Sequence, residues 1–175
     1  YEAKLVTYPR TDSQYITADM EQTVLELLGL LPELLPFLQG EQIGVNVGRI
    51  INNDKVSDHH ALLPTKEALE EDFEELSERQ RNIFRLIGQR LAQAVSEECI
   101  YEETAVTVLC EGHEFSAKGK TIVQPGFKKI EEAFRNSVQK EKQADKNRTD
   151  DTASIPEGLQ EGMRIAEVRA ENSRH

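Results

Sequence analysis

A short segment near the start of the chain groups residue types that can perform chemistry on a phosphate. It reads Thr7-Tyr8-Pro9-Arg10-Thr11-Asp12-Ser13. The hydroxyl of Tyr8 can act as a covalent nucleophile when a base or a positive charge activates it, and the guanidinium of Arg10 can hold a phosphate through two parallel hydrogen bonds. The segment therefore suggests attack on a phosphodiester, and a packed tyrosine beside a surface arginine is the alternative.

A pair of histidines lies further along the chain. The segment Ser57-Asp58-His59-His60 precedes a short apolar stretch that ends at Pro64-Thr65. Side chains of neighbouring residues in an extended segment point to opposite faces, so we expect only one of His59 and His60 to face a given site. The alternative for each is a histidine whose polar atoms are satisfied by its own surroundings.

The two motifs, in this order, resemble those of the type IA DNA topoisomerases. The segment from Lys4 to Ser13 is similar to the active-site segment of that family, and the segment from Ser57 to Thr65 resembles its histidine motif in the form typical of the bacterial topoisomerase III branch. A softer similarity covers Phe115-Ser116-Ala117-Lys118-Gly119 and Pro125-Gly126-Phe127, which resemble the strand pair that leads into the gate domain.

The resemblance implies the reaction of a type IA DNA topoisomerase. Tyr8 would become linked to the 5′ phosphate of a cut single strand, another strand would pass through the gap, and the break would then be resealed. Arg10 would contact the scissile region and His59 the phosphate, so the implied catalytic residues are Tyr8, Arg10 and His59. No ATP is implied, because the phosphotyrosine bond stores the energy of the cut.

The resemblance also implies which residues contact DNA, namely Arg10, Asp12, Ser13, His59 and His60. For Asp12 and Ser13 the alternative is a side chain that bonds to the backbone of its own turn. Between the two histidines we favour His59, because the other branch of the family carries a glutamate at the second position.

The metal chemistry of the family is expected to lie outside this chain. The family carries its acidic metal cluster and its general-acid lysine in an N-terminal Toprim domain, and no Asp-x-Asp-x-Glu pattern occurs here. The cofactor implied is Mg²⁺, bound by that Toprim domain and by no residue of this chain. The chain starts at Tyr1 without an initiator methionine, and we expect it to be a piece of a longer enzyme that is inactive alone.

A second function class fits the same residues. A non-catalytic DNA-binding module could use Arg10 and His59 only for phosphate contacts. The intact tyrosine and the complete histidine motif argue against this class. An acidic Toprim cluster upstream in the full-length protein would favour the enzyme over the non-catalytic binding module.

The charge of the chain argues against a free-standing nucleic-acid binder. The formal net charge is -11, and residues 1–103 hold 9 basic and 20 acidic side chains. Lysine and arginine make the phosphate contacts that dominate affinity for nucleic acids, so any grip on DNA must be local. The partner that the resemblance implies is single-stranded DNA or a DNA junction, bound by the full-length enzyme.

The resemblance implies a bacterial protein of the cytoplasm that is associated with the nucleoid, and we expect it to be a monomer. No apolar run approaches the roughly 20 residues that a membrane span needs. Cys99 and Cys110 have neither metal-ligand spacing nor a disulfide framework around them, which is typical of reduced cysteines in the cytoplasm.

The hydrophobic pattern predicts an α+β fold with two domains. A mainly helical catalytic-tyrosine domain is expected over 1–103, and a β-containing part of the gate domain over 104–175, with a mobile loop at 139–154. Within the second part we expect a hairpin from 104 to 118, a short helix from 127 to 135 and a strand from 163 to 170.

Two amphipathic helices are predicted in the first part. The earlier one is capped by Thr17, and its apolar face consists of Met20, Val24, Leu27, Leu28 and Leu31. The later one spans 78–97 after a capping box at Ser77, and its apolar face consists of Ile83, Ile87, Leu91 and Ala94. We also expect Phe115 and Phe127 to lie in the core.

Overall fold

The structure, a computed structural model, describes residues 4–41, 44–69, 75–141, 155 and 158–164. Its longer elements are, in chain order, α1 (Glu21–Leu34), α2 (Glu78–Val95), β1 (Ile100–Cys110), β2 (His113–Gln124) and α3 (Lys128–Glu141). Short 3₁₀ turns occupy the segments before and between the first two helices, at Ala18–Met20, Pro36–Leu38, Val47–Ile50, Asn53–Lys55 and Lys66–Leu69. Helices plus an antiparallel pair of strands confirm the predicted α+β class.

The chain divides into two compact units. The larger unit comprises Tyr1–Tyr101 and Ile122–Arg148, and the smaller comprises Glu102–Thr121 and Thr149–His175. The three helices and both polar motifs belong to the larger unit. The predicted division into domains at 103 stays a prediction, because compactness within one chain does not identify the domains of a longer protein.

Helix α1 supplies one wall of the core of the larger unit. Four residues of its predicted apolar face are buried, namely Val24, Leu27, Leu28 and Leu31. The fifth, Met20, lies in the 3₁₀ turn before the helix and is half-buried against the same core. Pro32 lies inside α1, which continues to Leu34. The amide of Leu35 still donates to the carbonyl of Leu31 at 2.7 Å, so the last turn closes beyond the proline.

The predicted capping role of Thr17 is wrong. Thr17 precedes the 3₁₀ turn Ala18–Met20, and its side chain makes no capping hydrogen bond. The amide of Ala18 instead donates to the side-chain oxygen of Asn53 at 2.8 Å. A side chain from a distant loop therefore satisfies this turn, which local sequence cannot reveal.

Helix α2 begins with the predicted capping box. The Ser77 hydroxyl accepts from the amide of Gln80 at 3.3 Å, and the Gln80 side-chain oxygen accepts from the amide of Ser77 at 2.9 Å. These bonds satisfy donors that the first turn of a helix leaves free. The start of the helix is thus fixed by adjacent residues, as the sequence predicted.

The predicted apolar face of α2 is largely wrong. Only Leu91 of that set is buried; Ile83 is 53% exposed, Ala94 is exposed and Ile87 is half-buried. The buried face consists of Phe84, Gly88, Gln89, Leu91, Ala92 and Val95. This face packs inward at Gly88, where the absence of a side chain leaves room for Leu35. A terminal methyl of Leu35 lies 2.3 Å from the position that a Cβ atom on residue 88 would occupy.

The tight turn between β1 and β2 confirms the predicted hairpin. Glu111 and Gly112 have φ values of 48° and 80°, as a two-residue type I′ turn requires. Phe115 was expected in the core but is 58% exposed, because the two strands form a sheet with no third strand among the described residues. Lys118 and Lys120 lie 3.6 Å and 3.7 Å from the carboxylate oxygens of Glu103, pairs that stabilise by about 1 kcal/mol at most.

Helix α3 is longer than predicted. It spans Lys128–Glu141, so residues 139–141 of the predicted mobile loop are helical. Ile130 is buried, Phe134 packs edge-on against Phe37 with ring centroids 5.3 Å apart, and Phe127 is half-buried. Residues 142–154 of that loop and 165–170 of the predicted strand lie outside the described residues.

A surface ion pair joins the end of the histidine segment to α1. The ammonium of Lys66 donates a short hydrogen bond to the carboxylate of Glu26. This bond, assisted by the amide of Gln22, holds the pKa of the Glu26 carboxyl below its ordinary value. The pair helps to place the 3₁₀ turn after the histidine motif against the helix that forms the core.

We expect Phe84→Ala to destabilise the protein by about 3–5 kcal/mol, because it leaves a cavity beneath α2. Ile83→Ala removes a neighbouring side chain of similar character from the exposed face, and should cost under about 1 kcal/mol. Urea unfolding followed by circular dichroism measures both. Equal losses for the two variants would contradict the observed orientation of α2.

Candidate active site

The tyrosine segment and the histidine segment meet through backbone hydrogen bonds. Val6 and Pro64 form an antiparallel bridge, flanked by a hydrogen bond of 2.9 Å from the amide of Thr7 to the carbonyl of Leu63. The Thr7 hydroxyl accepts in return from the amide of Leu63 at 3.0 Å. Leu5 and Leu63 are buried on either side of this bridge, so the core supports the junction.

A second junction holds the other end of the tyrosine loop. Ile16 and Ile51 form a parallel bridge, in which the amide of Ile16 donates to the carbonyl of Ile50 at 2.8 Å. The amide of Ala61 donates to the carbonyl of Tyr15 at 2.8 Å. The loop 8–14 is therefore tied at both ends to the segment 50–63.

The tyrosine segment and the histidine segment line the same open groove. The rings of Tyr8 and His59 have centroids 4.8 Å apart and are tilted by 45°. Tyr8 is 40% exposed. The groove has a volume of ≈ 590 Å³ and is lined by Tyr8, Pro9, Arg10, Thr11, Asp12, Ser57, Asp58 and His59. The structure thus brings together the three residues predicted to be catalytic.

The two adjacent histidines have different surroundings. His59 is exposed and lines the groove, whereas His60 is half-buried. The Nδ1 atom of His60 lies 2.7 Å from the carbonyl oxygen of Ala61, so a proton on that nitrogen is donated to the chain itself. The arrangement matches the expectation that neighbours in an extended segment face opposite ways. The DNA contacts of both histidines stay predictions.

Ser13 is bonded to the chain on both sides. Its hydroxyl donates to the carbonyl of Lys55 at 2.8 Å and accepts from the amide of Tyr15 at 3.1 Å. The bond with Tyr15 is one that the turn-forming alternative expects, whereas the bond to Lys55 joins the turn to a distant loop. Asp12 is exposed at the groove, where its carboxylate is open to solvent. Contact with DNA stays a prediction for both residues.

The charges that line the groove are mixed. Arg10 supplies the permanent positive charge, while Asp12 and Asp58 contribute two carboxylates. Among the described residues, no three His, Cys, Asp or Glu side chains are grouped so that they could hold a metal ion. Nor is any helix in the described part of the chain long and apolar enough to cross a membrane.

The sequence did not reveal the bonding of two threonine hydroxyls. The sequence placed both Thr7 and Thr11 in the tyrosine segment but indicated no hydrogen-bond partner for either. The Thr11 hydroxyl accepts from the amide of Ser13 at 3.1 Å and lies 3.3 Å from the carbonyl oxygen of His59, to which it donates. Threonine hydroxyls commonly bond to nearby backbone, but the distant partner becomes known only from the fold.

Known proteins resemble the chain over most of its length. The sequence profile of the family described as DNA topoisomerase matches residues 1–174. DNA topoisomerase 3 of Staphylococcus saprophyticus is 38% identical over 133 residues, which is 74% of this chain and 18% of that protein. DNA topoisomerase 3 of Bacillus subtilis is 37% identical over 131 residues, which is 73% of this chain and 18% of that protein. The chain spans less than a fifth of the length of these curated relatives.

The junction between the two motifs can be tested at Thr7. Thr7→Val keeps the shape of the side chain but leaves the amide of Leu63 without its hydroxyl partner, so we expect that amide to exchange with solvent roughly tenfold faster. Hydrogen exchange followed by NMR measures this. Thr23→Val, on the exposed side of α1, is the matched control, and an unchanged rate at Leu63 would refute the contribution of this bond.

Proposed function

Because the chain belongs to the type IA DNA topoisomerase family, we propose that Tyr8 is the residue that cuts DNA. The phenolic oxygen attacks a backbone phosphorus, a bond from that oxygen to phosphorus forms, and the bond from phosphorus to the 3′ oxygen breaks. The phenol loses its proton and the departing 3′ oxygen gains one. The products are a 5′-phosphotyrosine and a free 3′ hydroxyl, and the reverse reaction reseals the strand after another has passed.

The observation that carries the proposal is the contact between Tyr8 and His59 at the edge of an open groove. A nucleophile must be reachable by a bulky substrate, and the tyrosine ring is partly exposed beside a groove that is open to solvent. The imidazole lies against the same ring. A tyrosine with only a packing role would not need an exposed histidine and an arginine beside it in the same groove.

Arg10 and His59 are proposed to act on the phosphate that Tyr8 attacks. Charge accumulates on the phosphate oxygens in the transition state, and positive or hydrogen-bonding groups placed there lower the barrier. Arg10 lines the same groove and can hold two of those oxygens at once. His59 can donate from a ring nitrogen to the same phosphate. Of the other implied DNA contacts, the exposed Asp12 is better placed than Ser13, whose hydroxyl is bonded within the chain.

The rest of the reaction is proposed to depend on parts of the full-length enzyme that lie outside this chain. As the family resemblance implies, Mg²⁺ and the general acid would be held by a Toprim domain outside this chain, and no step above is assigned to them. The isolated chain is accordingly proposed to be inactive. The full-length enzyme is proposed to act as a monomer on single-stranded DNA or junctions, in the bacterial cytoplasm and near the nucleoid.

The role of Tyr8 is tested by removing one oxygen. In the full-length protein, Tyr8→Phe should abolish the covalent adduct with a single-stranded oligonucleotide and leave the dissociation constant for DNA nearly unchanged, because only the nucleophilic hydroxyl is lost. Denaturing gels detect the adduct and fluorescence anisotropy measures binding. Tyr101→Phe, at an exposed position of β1, is the control. Adduct formation by the Tyr8→Phe variant would leave only a DNA-binding role for this groove.

The roles of the two histidines are tested as a pair. We expect His59→Ala in the full-length protein to slow single-turnover cleavage by on the order of a hundredfold, the usual loss when one stabilising donor is removed from a transition state. His60→Ala should cost far less, because its ring is bonded to the backbone of Ala61. Circular dichroism confirms folding of both variants. A crippled His60→Ala beside a nearly normal His59→Ala would reverse the assignment.

A further inference from the structure

The hydroxyl of Thr11 connects the tyrosine loop to the backbone of the candidate catalytic histidine. Its oxygen accepts from the amide of Ser13 at 3.1 Å and donates to the carbonyl of His59 at 3.3 Å. The amide of Thr11 donates to the carbonyl of Pro9 at 3.1 Å, so the loop turns back immediately after Tyr8. Thr11 is half-buried beside the groove, and both of its polar groups are fixed within the protein.

The histidine segment has few other supports at this point. In the part of the chain that the structure describes, the backbone of residues 57–60 makes no hydrogen bond except the one from Thr11 to His59. The nearest backbone bonds on either side are made by the amides of Val56 and Ala61. Among the described residues, the carbonyl of His59 is thus where a hydrogen bond holds the backbone in the middle of this exposed segment.

We infer that Thr11 is a positioning residue for His59. This inference rests on the proposed function, since it concerns how the imidazole is kept against the Tyr8 ring for cleavage. The hydroxyl does not reach the ring of His59; it restrains the backbone that carries the ring. Without it, the imidazole would spend less time at the 4.8 Å distance from the tyrosine ring that the structure shows.

The size of the effect follows from the strength of one neutral hydrogen bond. Such a bond, lost near the surface, changes an equilibrium by about tenfold or less, and a small displacement of a reacting group can reduce a rate by a comparable or larger factor. Both hydrogen bonds of the Thr11 hydroxyl go to the backbone of the protein, at the amide of Ser13 and the carbonyl of His59, so the loss of this hydroxyl should affect the rate of cleavage and not the affinity for DNA. A residue that contacted the DNA would change both.

The experiment uses single-turnover cleavage of a single-stranded oligonucleotide by the full-length protein. Thr11→Val removes the hydroxyl and keeps the branched shape, and should slow cleavage by about tenfold with the dissociation constant unchanged. Thr11→Ser keeps the hydroxyl and should cleave at nearly the normal rate. Thr17→Val is the matched control, because the Thr17 side chain makes no capping bond.

A double-variant cycle decides whether Thr11 acts through His59. In a His59→Ala background, Thr11→Val should cause no further slowing, since the group that Thr11 positions is already gone. The inference would be overturned if Thr11→Val slowed cleavage in the His59→Ala background by the same factor as in the unaltered protein. An unchanged rate for Thr11→Val alone would also overturn it. If Thr11→Val does not fold by circular dichroism, Thr11→Ala compared with Thr11→Ser gives the same test.

The outcomes separate this inference from the function on which it rests. Absence of any covalent adduct with the unaltered full-length protein, in the presence of Mg²⁺, would refute the proposed cleavage itself. An adduct that forms normally and is insensitive to Thr11→Val would refute only the positioning role. An adduct slowed by Thr11→Val, restored by Thr11→Ser and insensitive to Thr11 in the His59→Ala background is the result expected.

Discussion

The bridge between Val6 and Pro64 is the interaction on which the candidate site depends. It joins two segments that are distant in sequence, and it lies directly before Tyr8 on one side and shortly after His60 on the other. The pairing register of two extended segments cannot shift by a single residue without moving every side chain of one segment to the opposite face. The buried Leu5 and Leu63 fix the register, since only this pairing places both in the core.

The helices serve the site by holding the segment 47–66 in place. Val47 and Ile50 are buried in the same core as α1, and the guanidinium of Arg49 donates to the carbonyl of Ser96 at 2.7 Å, just after α2 ends. Close packing of α2 at Gly88 sets where that end lies. Apolar packing in the core thus determines where this polar surface loop lies.

Sequence reasoning succeeded where neighbouring residues decide the outcome. The capping box at Ser77, the turn at Gly112 and the apolar face of α1 depend on short spacings that the sequence shows directly. It failed for the buried face of α2 and for Phe115, because the apolar character of a residue does not determine which other element it packs against. For the site, the motifs shared with the type IA DNA topoisomerases indicated Tyr8 and His59. The hydroxyl bonds of Thr7 and Thr11 join residues that are distant in sequence, so only the fold shows them.

The exposed hairpin has a consequence for how the isolated chain behaves in concentrated solution. Leu109 and Phe115 are exposed on strands that, among the described residues, pair only with each other, and such edges can recruit strands from other molecules. Lys118 and Glu103 place charges on the same strands, and the net charge of -11 makes the molecules repel one another. Added salt screens that repulsion, because the Debye length falls to about 8 Å at physiological ionic strength. The colloidal stability of the isolated chain therefore rests on low ionic strength as much as on its fold.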